Sequence, residues 1–189
     1  MTIPLGLDLE TPRLWLRRWR PADLEPFVEL NADGAVMEHF PAMLSREETA
    51  AMLGRMEQHF DNHGFGFWAV EVPYQAPFIG FIGLAAPAFE ASFTPCVEIG
   101  WRLARPWWGQ GLATEGAQAA LAYGFQHLAL SEIVSFTVPG NTRSRRVMEK
   151  LGMRYSEDFE HPRIEPGHPL RRHVLYRLTC AEWISSQRP

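Results

Sequence analysis

A strand-like run, a glycine-broken turn, a long amphipathic helix and a second strand-like run succeed one another between residues 96 and 138, and this order restricts the fold more than any other part of the chain. "CVEIGWRLA" (96–104) and "EIVSFTV" (132–138) read as strands. Between them "RPWWGQGLATEGAQAALAYGF" (105–125) leads into a helix whose Ala117, Leu121, Phe125 and Leu128 share one apolar face. Strand, helix and strand in that order build a parallel crossover, because two parallel neighbours cannot be joined by a tight hairpin.

The flanking segments predict antiparallel partners. "RLWLRRW" (13–19) alternates Leu14 and Leu16 with polar residues, as a half-buried strand does. Pro21 opens a helix to about Leu30, since a first helical turn does not use the missing N–H. Ser45 and Glu48 have capping-box spacing ahead of Met52, Met56 and Phe60 at helical intervals. "FGFWAVEV" and "FIGFIGLA", separated by "PYQAP", predict an antiparallel hairpin. A short helix is expected from Asn141, its cap, to Leu151, with Gly152 as its stop, and two further strands over 153–160 and 172–178. The fold class is α/β: a mixed, largely antiparallel central sheet with one parallel crossover and flanking helices. With 189 residues, 46% of them hydrophobic, the chain suffices for one well-buried core, and residues 1–189 are expected to form one domain.

A net charge of −4 gives no general attraction to nucleic acid or to an anionic membrane. "MTIPLGLDLETPRL" lacks the basic and apolar regions of a secretory signal. The longest apolar run, "FIGFIGLAAPAF" (78–89), is too short and too broken by glycine and proline to span a bilayer. Two cysteines, Cys96 and Cys180, make neither a disulfide framework nor a metal cluster, so no metal is expected and the cytoplasm is the natural compartment.

Gly109 and Gly111 leave bare backbone at a helix start, where unpaired N–H groups and the positive end of the dipole can hold an anion. The dinucleotide fingerprint fails because Thr114 stands where its third glycine belongs, and a P-loop fails because Ala117 and Gln118 follow Gly116. By themselves the glycines fit either an anion site or a plain turn.

"EIGWRLARPWWGQGLATE", the helix after it, "NTRSRRVMEKLGM" and the N-terminal "TPRLWLRRWRPADLEPF" occur in one order over nearly the whole chain. In that combination they resemble the GCN5-related N-acetyltransferase (GNAT) superfamily, and within it the RimJ/RimL-type ribosomal-protein acetyltransferases and their small-molecule-modifying relatives. The resemblance implies the GNAT fold, with splayed strands forming a slot for acyl-CoA, and acetyl-CoA as cosubstrate. Its pyrophosphate would rest on the N–H groups of Gln110, Gly111, Leu112, Ala113 and Thr114, beside Gly109. Trp108 departs from the general pattern of Gln or Arg at its position, as is common in the RimJ/RimL-like branch. The amides of the pantetheine arm would pair with the edge of "IGWRL", which contains Trp101, Arg102 and Leu103.

Acetyl transfer to an amine needs a neutral amine and a stabilised leaving thiolate. Glu98, on the strand expected to face the thioester, is the first candidate base; its alternative is an anchor for neighbouring backbone or an arginine. The superfamily's frequent tyrosine acid would fall on Met148, which has no proton to give. Ser144 takes the position proposed in this branch to assist the thiolate, or is an ordinary first-turn residue. Asn141 would cap its helix and reach the pantetheine or a catalytic water. Arg146, from "RSRR", is a candidate for the cofactor's phosphates, or part of a solvated face. No covalent intermediate is required, in keeping with Cys96 having no evident histidine partner.

Other features are assigned blander roles. His59 and His63, four apart on a helix, lack the glutamate and third ligand of a metal site and are expected at the surface. Trp15, Trp19, Trp68 and Trp101 are expected in the core or a pocket, and so is Tyr155. The acidic "SEDFE" (156–160) either faces the acceptor amine or lies in solvent. The acceptor is a protein N-terminus, ribosomal or other, or a small amine, read by segments 31–45, 86–95 and 158–171; a homodimer fits the family. The competing readings are an acyl-CoA-binding regulatory or interaction module without turnover, and an unrelated α/β protein whose glycines only turn the chain.

Overall fold

The computed structural model describes residues 8–187; the first seven residues, with half of the segment tested for a leader, lie outside them. The strands are β1 (Leu9–Glu10), β2 (Trp15–Arg17), β3 (Phe67–Val72), β4 (Ala76–Ala85), β5 (Glu98–Leu103), β6 (Glu132–Thr137), β7 (Arg154–Glu160) and β8 (Arg172–Thr179). The helices are α1 (Leu24–Ala32), α2 (Arg46–His63), α3 (Leu112–Gln126), α4 (Thr142–Lys150) and α5 (Cys180–Ser186). The strands form one sheet in the order β1-β2-β3-β4-β5-β6-β8-β7. Every neighbouring pair is antiparallel except β5 and β6, which are the ends of the crossover through α3.

Local chemistry sets the helix limits. Ser45 and Glu48 close the predicted capping box on α2, and Asn141 caps α4 by accepting the Ser144 N–H at 3.2 Å. Pro21 starts a 3-10 turn, Pro21–Asp23, that runs into α1. Three elements went unpredicted. β1 is two residues long and too short for periodicity to register; a second 3-10 turn covers Arg105–Trp107; and α5 is opened by a Thr179–Glu182 capping box. Leu128 lies beyond the end of α3 but still packs against the core.

Residues 79–85 of β4 are buried without alternation, as expected of a central strand covered on both faces. On one face α3 lies against Leu14, Leu16 and Ile82; a Cβ at Gly116 would stand 2.5 Å from Ile82 Cδ1, so glycine sets this approach. On the other face Phe27 of α1 packs with Trp19, Phe78 and Phe81. A smaller cluster of Phe93, Val134 and Leu175 holds the segment before β5 against the sheet.

Trp19 and Trp68 are core residues, while Trp15 is half-buried beneath Arg20. Two expectations need correction. Tyr155 is 56% exposed, belongs to neither core nor pocket, and donates its hydroxyl to Asp158. His59 is half-buried rather than on the surface: its Nδ1 lies 2.8 Å from the Phe65 carbonyl and its Nε2 accepts the Ala86 N–H at 3.0 Å. Burial lowers its pKa, consistent with a neutral ring that pins two loops.

Candidate active site

The sequence 108–114 folds as a turn whose two glycines take φ of 73° (Gly109) and 80° (Gly111), a region that other L-residues adopt only with strain. Gly111 is the N-cap of α3 and has no side chain to offer, and the N–H groups of Leu112, Ala113 and Thr114 meet no acceptor among the described residues. The turn is held from outside. Arg13 donates its backbone N–H and its Nε to the Glu115 carboxylate at 2.9 and 2.6 Å, and its Nη1 to the Gln110 carbonyl at 3.0 Å. Thr11 donates its hydroxyl to the same carboxylate at 2.7 Å. The β1–β2 turn is therefore a brace for the start of α3, which sequence spacing gave no means of pairing with it.

β5 pairs with β4 along its whole length, but with β6 only at Glu98 opposite Val134. The Val97 carbonyl accepts the Val134 N–H and the Ile99 carbonyl accepts the Ser135 hydroxyl. Odd-numbered residues thus aim their backbone groups at β6, so Trp101 and Leu103 present theirs where the strands have parted. The Leu103 carbonyl accepts the Trp108 indole N–H at 2.6 Å, which leaves the Leu103 N–H and both groups of Trp101 open. Arg102 differs from the two residues grouped with it in the sequence. Its backbone faces β4, and its side chain turns to α1 and bonds Asn31.

A cavity of about 580 Å³ runs from this turn along the open edge of β5. Its lining includes Glu98, Trp101, Arg102, Leu103, Trp108, Gly109, Gly111, Leu112, Ala113, Thr114, Asn141, Ser144 and Arg146. Gln110 is the exception among the predicted residues: its carbonyl is held by Arg13 and its amide donates to Pro106. Ser135 and Thr137 on β6, His39 and Phe40 after α1, and Arg143 on α4 also line it. The polar positions of the otherwise apolar "EIVSFTV" were a signal for Ser135 and Thr137. Nothing local in the sequence identified the residues after α1.

Glu98 is half-buried and lines the cavity; desolvation raises its pKa to about 7, with the Arg163 charge working in the opposite direction. A carboxyl group that titrates near neutrality in a cleft can both hold and release a proton there. Asn141 is occupied twice, accepting from Ser144 N–H and donating to the Thr137 hydroxyl at 3.0 Å. The Ser144 hydroxyl lines the cavity, and no bond ties it to another described residue. Met148 is fully buried under α4. The Arg143 guanidinium lies 4.5 Å above the Trp108 ring and pairs with Glu38 at 2.9 Å, which joins the segment after α1 to α4. Of the acidic run, Glu157, Asp158 and Glu160 pair with Arg177, Arg172 and Arg171, so these carboxylates are already neutralised.

Residues 13–154 match the family described as acetyltransferase (GNAT) domain. The uncharacterized N-acetyltransferase YnaD of Bacillus subtilis is 30% identical over 181 residues, which cover 94% of this chain and 99% of that protein. The FsC-acetyl coenzyme A-N(2)-transacetylase of Aspergillus fumigatus is 36% identical over 136 residues, 67% of this chain and 55% of that protein. Among solved structures, a GNAT-family acetyltransferase from Bacillus anthracis aligns with a TM-score of 0.76 at 26% identity, covering 93% of this chain and 99% of its own.

Proposed function

This chain belongs to the GNAT acetyltransferase family, and from that premise we propose that it moves an acetyl group from acetyl-CoA to a primary amine by direct attack, as a RimJ/RimL-like member. One observation carries the reading: a single cavity joins an uncapped helix start, an unpaired strand edge and a half-buried carboxyl group. The name of the Aspergillus relative contains the same donor. The bare N–H groups of Leu112, Ala113 and Thr114 suit a pyrophosphate without a lysine, with Arg143 and Arg146 nearby for further phosphate oxygens. The Trp101 and Leu103 backbone suits the amides of the pantetheine arm, which would add to β5 where β6 has departed.

Bound acetyl-CoA supplies the thioester that is cleaved. Glu98, ionised above about pH 7, takes the proton of the acceptor ammonium and leaves a neutral amine to attack. As the amide forms, the nitrogen loses its second proton to the departing sulfur, and the Ser144 hydroxyl relays that proton or donates a hydrogen bond to the sulfur, a role that the buried Met148 cannot take. Cys96 is not a nucleophile on this reading: burial first, and then the Glu98 charge, push its thiol up to about 11.

The test is calorimetric titration with acetyl-CoA, followed by an amine-acceptor screen. Saturable binding with acetyl transfer to some amine supports the proposal. Binding without transfer to any amine would leave only an acyl-CoA-binding module, and no binding by a folded protein would remove both.

A further inference from the structure

Arg102 is 8% exposed and lines the cavity, yet no carboxylate among the described residues forms an ion pair with it. Its Nη1 donates to Asn31 Oδ1, and its Nε is buried without a hydrogen-bond partner among the described residues. The guanidinium lies 4.1 Å from the Phe40 ring centre and 5.3 Å from that of Phe81, and both rings line the same cavity. A buried cation normally has an anion beside it, because desolvation otherwise opposes the charge. Burial alone lowers its pKa, to about 10, so the group is still charged at neutral pH.

The position of the side chain separates it from the helix start. Along β5, residues 98, 100 and 102 share one face, whereas Ile99 and Leu103 lie on the opposite face with the α3 core. Arg102 and Glu98 therefore share a side of the strand, about 13 Å apart at their Cα atoms for a rise of ~3.3 Å per residue. Between them the Phe67 ring, which also lines the cavity, packs over Gly100, where a Cβ would come within 3.2 Å of it. A cation at Arg102, an aromatic-walled span and a proton acceptor at Glu98 follow in that order.

We propose that Arg102 binds a carboxylate of the acceptor, so that the substrate class is a primary amine separated by a short apolar span from a carboxylate. This rests on the acetyl-transfer reading of the same cavity. Arginine is suited to the task because its terminal Nη groups keep N–H donors beyond the one given to Asn31, while the Nε is buried out of reach, and a guanidinium fork can grip a carboxylate through two N–H groups at once.

The test uses amino-carboxylates of increasing span, from glycine through 6-aminohexanoate to 4-(aminomethyl)benzoate, each matched with its carboxamide. For at least one span kcat/KM is expected to be ten-fold or more higher for the carboxylate. Arg102→Gln is expected to abolish that preference while leaving acetyl-CoA affinity unchanged, and Arg102→Lys, which keeps the charge without the fork, to retain part of it. No preference at any span, or a preference that persists in Arg102→Gln, overturns the inference. So does a loss of acetyl-CoA affinity with the preference intact, which would assign Arg102 to the donor. Calorimetric binding of 4-(aminomethyl)benzoate against its carboxamide, without acetyl-CoA, reads the carboxylate site separately from transfer. A carboxylate preference there with no acetyl-CoA binding would mean that the acetyl-transfer reading had failed and the site had not.

Discussion

Arg17 and Arg102 are the two buried arginines among the described residues, and their surroundings are opposite. Arg17 binds both oxygens of Asp23 at 2.8 and 2.9 Å and Glu71 at 2.8 Å, and it also donates to the carbonyls of Arg18 and Pro77. Burial opposes its charge, but the bonds to Asp23 and Glu71 outweigh it and the pKa rises. Arg102 has one amide oxygen, two aromatic faces and a lowered pKa. Equal burial therefore accompanies two different roles. Arg17 is satisfied by the fold and ties β2 to β3 and to the start of α1, whereas Arg102 retains donors that the fold leaves unused.

The largest effect expected from this contrast is on stability. Arg17→Met leaves the buried Asp23 without its cation and Glu71 with Arg20 alone, and breaking a buried pair from one side costs about 3–5 kcal/mol. Arg102→Met strands only the Asn31 oxygen and removes an unpaired charge, so its stability is expected to stay within about 1 kcal/mol of wild type. Urea unfolding of the two variants measures both. Equal losses would break the contrast, because Arg102 would then be a structural residue like Arg17.

Glu98 extends the comparison to an acid, since this half-buried group too forms no ion pair among the described residues. As a general base it is expected to be worth about 100-fold in turnover, so Glu98→Gln should lose at least that while still binding acetyl-CoA. The wild-type rate should rise through about pH 7 as the carboxyl group ionises, and the variant should lack that limb. The stability effect has a definite sign. The folded pKa, about 7, lies above the ordinary 4.5, so Glu98 contributes fully below pH 4.5 and the contribution is lost as pH rises through 7. Glu98→Gln should therefore gain stability relative to wild type at pH 8 compared with pH 5. Near-normal turnover in the variant would return Glu98 to an anchoring role.

The sequence made the fold legible wherever periodicity was long. The crossover, the capped α2 and α4, and β7 and β8 all lie close to their predicted limits, because each buries a repeating face or ends on a specific cap. β1 was invisible because its two residues have no period, and its importance comes from Thr11 and Arg13 reaching Glu115 over a hundred positions away. The residues of the cavity floor were legible through "EIGWRLARPWWGQGLATE", but the difference between Arg102 and its neighbours was not. In letters Arg17, Arg18 and Arg102 are alike; only the register against β4 and the position of Asn31 tell which is left unpaired.

Gly111 tests an anion subsite that uses no charged side chain. An added Cβ meets only the Arg13 guanidinium, at 3.6 Å, so Gly111→Ala acts through its φ of 80° rather than through a clash. The left-handed region costs a non-glycine residue about 1–2 kcal/mol, which should appear in stability, in acetyl-CoA affinity, or divided between them. Unchanged values for both, by urea unfolding and calorimetry, would mean that the turn relaxes freely and that its glycines are not what keeps the helix start open.

The smallest effect belongs to Ser144. Its backbone N–H is already fixed by Asn141, so Ser144→Ala leaves the start of α4 intact and removes only a hydroxyl that the fold does not use. Thiolates leave readily compared with most groups, so the hydroxyl has little barrier to lower, and a loss of about three- to ten-fold in kcat, with KM for acetyl-CoA unchanged, is expected. The effect should grow with pH, because protonation of the leaving sulfur by solvent becomes scarcer while Glu98 becomes fully ionised. A rate equal to wild type at every pH would show that the unpaired hydroxyl has no part in the chemistry, and would limit the rule drawn from Arg17 and Arg102 to buried charges, whose desolvation is costly enough to require a partner, and not to neutral groups that cavity water satisfies.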